Sequence, residues 1–168
     1  MSEHDLTCLT LNVKGIRDKT KRLCIFKWLL RQKAHVYFLQ ETHITEDIAL
    51  DCDRDWKGTT FHCFGTSNSR GVSILFNPSI DVSTTSFNVD SVGRKLLVNC
   101  KCSNDCYSFA NVYAPNTIRD RNSFFRELPA WLYMHQLHNL IIAGDFNCIV
   151  DMRDFALISE NWLEDNRP

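Results

Sequence analysis

Four short apolar runs in this chain of 168 residues each stop on polar side chains. Residues 6–11 deliver Asn12, 36–39 deliver Gln40, Glu41, Thr42 and His43, 109–112 deliver Tyr113 and Asn116, and 140–143 deliver Asp145 and Asn147. Runs so short and apolar suit strands buried in a core. More strands are expected over 59–64, 72–76, 83–89, 95–101 and 107–112, separated by Gly, Asn, Pro and Ser. Helical spacing occurs twice. Over 21–32, Leu23, Phe26, Leu29 and Leu30 form one stripe, Thr20 is the expected cap and the basic residues face outward. Over 119–137, Phe124, Phe125, Leu128, Trp131 and Leu132 form another, with Pro129 placed to kink the helix. The acidic stretch 46–55 reads as helix or loop. Many strands and few helices predict one mixed α/β domain over 1–150, with an acidic tail over 151–168.

The composition narrows the function classes. Apolar residues at 44% and charged residues at 23% are those of a globular chain. No apolar run approaches the roughly 18–20 residues of a membrane helix. The opening Met-Ser-Glu-His-Asp is not a secretory signal, so a nuclear or cytoplasmic chain with no membrane association is expected. Nineteen basic against 20 acidic residues give no global pull towards nucleic acid. The charge is uneven, however: residues 14–33 hold eight Lys or Arg and one acid, Asp18. Such a patch suits phosphates, and it equally suits a solvated helix face. Eight cysteines without a leader are expected to be free thiols. Cys100, Cys102 and Cys106 are too few for a four-ligand zinc set at familiar spacing.

Side chains at the ends of packed strands are held by rigid scaffolding and so suit a functional constellation. Taken singly, each has a plain structural reading: Asn12 as a turn residue, Asp145-Phe146-Asn147 as an Asx-turn, Glu41 as a solvated acid. Taken together they supply two carboxylates and several amides. That oxygen-rich set suits Mg²⁺ or Mn²⁺ better than zinc.

Five segments carry a resemblance: Leu-Asn-Val-Lys-Gly-Ile at 11–16, Phe-Leu-Gln-Glu-Thr-His at 38–43, Arg-Gly-Val-Ser-Ile-Leu-Phe at 70–76, Asn-Val-Tyr-Ala-Pro-Asn at 111–116 and Ile-Ile-Ala-Gly-Asp-Phe-Asn at 141–147. In this order they resemble the endonuclease/exonuclease/phosphatase superfamily, and within it the apurinic-type endonuclease domain of LINE-like retrotransposons. The resemblance implies a four-layer α/β (α+β) sandwich of two mostly antiparallel sheets flanked by helices. It implies a Mg²⁺-dependent phosphodiesterase, with Mn²⁺ able to substitute, that cuts DNA through its phosphate backbone; no obligate protein partner is expected. Carried over, Glu41 is the main metal ligand with Asn12 beside it. Asp145 orients and deprotonates the attacking water, supported by Asn147. Tyr113 and Asn116 contact the scissile phosphate, and His43 is a positioning residue near it. Arg94, after Gly93, resembles a recurring Gly-Arg with a structural role.

The resemblance also implies a later Ser-Asp-His motif. None of the six histidines (His4, His35, His43, His62, His135, His138) lies in an Asp-His pair near the end of the chain. The expectation is therefore a domain lacking its last third, an incomplete second sheet and weak or absent cleavage. Two alternatives stand beside it: a non-catalytic remnant that binds nucleic acid weakly, and a phosphatase acting on small or lipid phosphates.

Overall fold

In the strand Val36–Gln40 (β2), Val36 and Phe38 point one way, Tyr37 and Leu39 the other, and all four are buried. Such a strand needs cover on both faces. The computed structural model, which describes residues 6–102 and 105–148, shows what supplies it. Cys8–Asn12 (β1) pairs with β2 in parallel; Val72–Phe76 (β4) pairs with it antiparallel and carries Thr60–Cys63 (β3) on its far side. The helices Lys19–Arg31 (α1) and Glu46–Trp56 (α2) cover one face of this sheet. The other face meets a second four-stranded sheet: Val82–Val89 (β5), Lys95–Cys102 (β6), Asp105–Tyr113 (β7) and Leu140–Asp145 (β8), in that order. Here β5, β6 and β7 are antiparallel, and β8 joins β7 in parallel. The helix Ile118–Tyr133 (α3) packs on its outer side. The result is a four-layer α+β sandwich with three apolar seams.

Between the sheets, Val36, Phe38, Ile74 and Phe76 meet Leu96, Val98 and Phe109. Under α1 and α2, Trp56 stands edge-on to Phe26 and Tyr37 at 5.1 and 5.2 Å, and its indole N–H donates to the Phe76 carbonyl at 2.7 Å. That bond satisfies the one polar atom of a large buried side chain. Cys100 and Cys102 share the inner face of β6 with their Sγ atoms 3.7 Å apart, whereas Cys106 is exposed. Burial pushes the Cys8 and Cys52 thiols up to about 11, so both stay protonated at neutral pH.

Several local expectations change. Asp18, not Thr20, caps α1: its Oδ1 accepts the Lys21 amide at 2.8 Å, and the helix starts two residues earlier. The basic residues of α1 do not all face outward. Arg22 is buried and paired with Asp55 at 2.7 Å, while Leu23 and Leu30 are exposed. Residues 46–55 are a full helix, opened by Glu46 and Asp47 where acids favour the dipole and closed by Lys57 at φ 64°. Pro129 lies inside α3, which stops at Tyr133 rather than residue 137. The last strand is only half buried, with Leu140 and Ile142 more than a third exposed, because among the described residues β8 is an edge and α3 covers it incompletely. The tail over 151–168 lies outside the described residues.

One contact makes stability depend on pH. Asp53 in α2 meets His62 Nε2 at 3.0 Å and accepts from Thr60, which ties α2 to β3. The His62 bond, then Thr60 and the His62 charge, outweigh burial and hold the Asp53 carboxyl below its ordinary value of 3.8. A depressed carboxylate stabilises the fold above the unfolded value and loses that contribution as pH falls through the folded one. Urea midpoints should therefore separate the parent from Asp53→Asn at pH 7. The gap should close below about pH 3.8.

Candidate active site

Parallel pairing decides where the polar strand ends gather. Because β1 runs with β2 and β7 with β8, each pair finishes at the same end of its sheet, with Asn12 opposite Gln40 and Tyr113 opposite Asp145. The period of two then sets the face. Asn12 follows Cys8 and Thr10, Tyr113 follows Phe109 and Asn111, and Asp145 follows Ile141 and Ala143, all turned towards the seam between the sheets. Glu41 breaks the rule. One residue after inward-facing Gln40, it belongs on the other face, but a left-handed φ of 52° turns it back. Continued pairing holds that turn: the amides of Val13, Gly15 and Ile16 donate to the carbonyls of Gln40, Glu41 and Thr42 at 2.7–2.9 Å.

The four side chains meet. Asn12 Nδ2 donates to Glu41 Oε1 at 2.9 Å and to Asp145 Oδ2 at 3.0 Å, so one amide bridges two carboxylates from different sheets. Tyr113 donates its hydroxyl to Glu41 Oε1 at 2.7 Å. The Asp145 carboxylate also accepts the Asn147 amide at 3.0 Å, and Asn147 Nδ2 donates to the Ala114 carbonyl at 2.7 Å. Asn147 thus fixes Asp145 through the backbone. Asn12 Oδ1 accepts the Lys14 amide at 3.1 Å, so in this orientation Asn12 is a donor that gathers the acids. Acting as a metal ligand through that oxygen would require the amide to turn.

The electrostatics follow. Burial alone would raise the Glu41 carboxyl; the bonds from Asn12 and Tyr113, with the charges of His43 and Lys14, outweigh it and hold the group below the usual carboxylate range. The same surroundings push the Tyr113 phenol up to about 12, through burial and then its bond to Glu41. Tyr113 therefore remains a donor at neutral pH. Burial and the Lys21 charge lower His43 against the pull of Glu41, which leaves its imidazole neutral at pH 7. His43 Nε2 stands 4.0 Å from Glu41 Oε2, too far for a hydrogen bond. Asn116 is exposed at the mouth of a cleft of about 320 Å³, shared with Glu41, His43 and Tyr113.

Three of the eight non-glycine residues described with positive φ (Glu41, His43 and Arg70) line this cleft. Backbone strain collects where the surroundings over-determine it, and functional sites are the usual place. Gly15 makes room for one of these residues, since a Cβ there would lie 2.7 Å from His43 Nδ1.

Sequence reasoning missed the support beneath the site. Gln40 Nε2 donates to Asn111 Oδ1 at 2.8 Å, and Asn111 Nδ2 donates to the carbonyls of Leu39 and Ser73 at 2.9 and 2.8 Å. This fully buried amide pair ties the two sheets together one layer below Glu41 and Tyr113. A polar residue at an inward position of an apolar run was its signal. The basic patch over 14–33 is reduced by folding: Arg17 pairs with Asp47, Arg22 with Asp55, and Lys21 donates to the Lys14 carbonyl. Lys14 and Lys21 are the members whose charge reaches Glu41 or His43.

The donor set fits a hard cation. Among the described residues no three His, Cys, Asp or Glu side chains gather into a closed cage. Two carboxylates on one amide match the way Mg²⁺ is held, through one or two acids with water completing its shell.

Residues 9–167 match the family model described as Endonuclease/Exonuclease/phosphatase family. Over 152 residues, 89% of the chain, the sequence is 36% identical to the transposon TX1 uncharacterized 149 kDa protein of Xenopus laevis, of which it spans only 12%. Solved structures share the fold at low identity. One is D. rerio TDP2 complexed with a single-strand DNA product (TM-score 0.66, 18% identity, covering 90% of this chain and 64% of that one). Another is a Bacteroides thetaiotaomicron mannosyl-6-phosphatase (0.65, 14%, 93% and 71%). A third is ANGEL2, a 2′,3′-cyclic phosphatase, in complex with adenosine-2′,3′-vanadate (0.61, 16%, 92% and 56%).

Proposed function

Because the chain belongs to the endonuclease/exonuclease/phosphatase family, we propose that it is a Mg²⁺-dependent phosphodiesterase that cleaves DNA. The observation that carries this reading is the bridge from Asn12 to both Glu41 and Asp145 at 2.9 and 3.0 Å. Two acids held together on one amide have a use at a cation and at a water, and little use in a core. Glu41 is the metal carboxylate, with the Asn12 amide beside it. A bound Mg²⁺ or Mn²⁺ supplies charge for the phosphoryl oxygens as the transition state gathers negative charge. Asp145 accepts the proton of the attacking water, and Asn147 keeps it from rotating away. Tyr113 and Asn116 face the phosphate; the phenol does not ionise at neutral pH and donates there once its one hydrogen turns from Glu41 to the phosphoryl oxygen. His43 lines the cleft beside Glu41 as a positioning residue for the phosphate.

DNA as the substrate is supported by the transposon relative and by the DNA-bound structural neighbour. Supercoiled plasmid should be converted to nicked circles with Mg²⁺, not with chelator, and again when Mg²⁺ or Mn²⁺ is restored. Nicking that survives chelation would overturn the metal assignment. Hydrolysis of phosphate monoesters without nicking would replace the DNA reading with a phosphatase.

A further inference from the structure

We infer that Arg70 and Arg94 form a clamp for a second phosphate of a nucleic-acid strand, next to the phosphate held at Glu41 and Asp145, so that the site favours polynucleotides over esters bearing one phosphate. The inference rests on the phosphodiesterase reading above.

Both arginines line the cleft that Glu41, Tyr113 and Asn116 open onto. They arrive on different loops, Arg70 just before β4 and Arg94 just before β6. One backbone bond staples those loops, from the Gly71 amide to the Gly93 carbonyl at 2.9 Å. Two further bonds pin Arg70 to the site: the Thr42 amide donates to the Gly71 carbonyl and the His43 amide to the Arg70 carbonyl, both at 3.0 Å. Arg70 holds φ 63° there, a conformation that glycine would adopt at lower cost. Arg94 lies over the Tyr113 ring at 4.9 Å and spends Nη1 on the Tyr113 carbonyl at 3.0 Å, which leaves the rest of its fork for a ligand.

Among the described residues no carboxylate contacts either guanidinium. Arg70 makes no side-chain hydrogen bond or ion pair among the described residues. Asp90 gives one oxygen to the Arg94 backbone amide, and Asp120, on the same cleft wall, accepts from Thr117. Burial lowers Arg94 from its ordinary value and the Arg70 charge adds to that, while Tyr113, Asp90 and Asp120 pull the other way without outweighing them. Adjacent unpaired cations repel, and an anion lodged between them relieves that cost. Planar forks match phosphate oxygens two at a time. A strand leaving Glu41 along this cleft would bring its next phosphate to the pair.

Binding of a labelled single-stranded oligonucleotide in chelator, where nothing is cut, reads the clamp directly. Arg70→Ala should weaken binding about tenfold and reduce the slope of log affinity against log salt by about 0.7, the share of one phosphate contact. Arg70→Gly should do the same, and because glycine relieves the φ of 63°, its loss is not a folding defect. With Mg²⁺, either change should cost at least about tenfold more on the oligonucleotide than on bis(4-nitrophenyl) phosphate, which has one phosphate. Equal losses on both substrates would place Arg70 at the scissile phosphate and overturn the clamp. An unchanged affinity and salt slope would also overturn it. A parent that binds with an Arg70-dependent slope yet cuts no DNA would sink the phosphodiesterase reading and leave the clamp standing.

Discussion

Asp145→Ala should lower DNA nicking by about 10²–10⁴-fold, the usual loss when one positioned acid–base group is removed. The fold should survive. Asp145 ends β8, is partly exposed, and gives up two hydrogen bonds, from Asn12 and from the Asn147 amide. Those losses cost roughly 1 kcal/mol each, and the removal of one of two neighbouring acids returns part of it. The signature of a proton acceptor is a fall in kcat with no rise in KM, because a carboxylate near a phosphate does not help the substrate bind. Oligonucleotide affinity in chelator should accordingly stay level or improve. Equal nicking by parent and variant would show that the cleavage does not pass through this site. A cooperative melt that vanishes in the variant would assign Asp145 to structure instead.

Gly144→Ala should damage both fold and site. In the parallel pairing of β7 with β8, Gly144 has φ 149° and sits opposite Val112, where an added Cβ would lie 2.0 Å from the Val112 carbonyl oxygen. The obstacle is backbone, which cannot swing aside, so the two strands must part. A strained φ and a broken ladder together are expected to cost about 3–5 kcal/mol. At roughly 2–4 °C per kcal/mol for a chain of this size, about 3 kcal/mol lowers the Tm by some 6–12 °C. The loss propagates because Asp145 is the next residue and keeps its place through its register with Tyr113. Nicking should therefore fall even at temperatures where the variant is folded. A Tm within about 2 °C of the parent's would show that β8 tolerates the shift and would remove the reason for glycine at this position.

Most strands were legible because their residues alternate or are wholly apolar, and both features reflect burial of a pleated surface. Val72–Phe76 was placed to the residue, and β6 and β7 within one or two. Caps and edges were less legible. Asp18 and Thr20 are both good cap residues, and only the approach of Asp18 to the Lys21 amide chooses between them. Arg22 reads as a solvated basic residue until Asp55, 33 positions later, arrives beside it. Leu140 and Ile142 look like core by composition, and their exposure depends on how far α3 reaches over β8.

The site divides in the same way. The sequence by itself determined which chemistry was on offer, because the side chains carry it: two acids, three amides and a phenol, each released at the end of an apolar run whose period of two already faced Asn12, Tyr113 and Asp145 the same way. Only the tertiary structure decided that they would meet. The parallel pairings put four strand ends at one end of the sandwich, and the Gln40–Asn111 pair tied the sheets together beneath them. Glu41, which strand alternation sends to the opposite face, reaches Asn12 and Tyr113 because contacts with residues far away in sequence hold it at φ 52°. A left-handed turn in a non-glycine residue is unfavourable locally, so no local pattern predicts it; it exists only where the completed fold outweighs its cost.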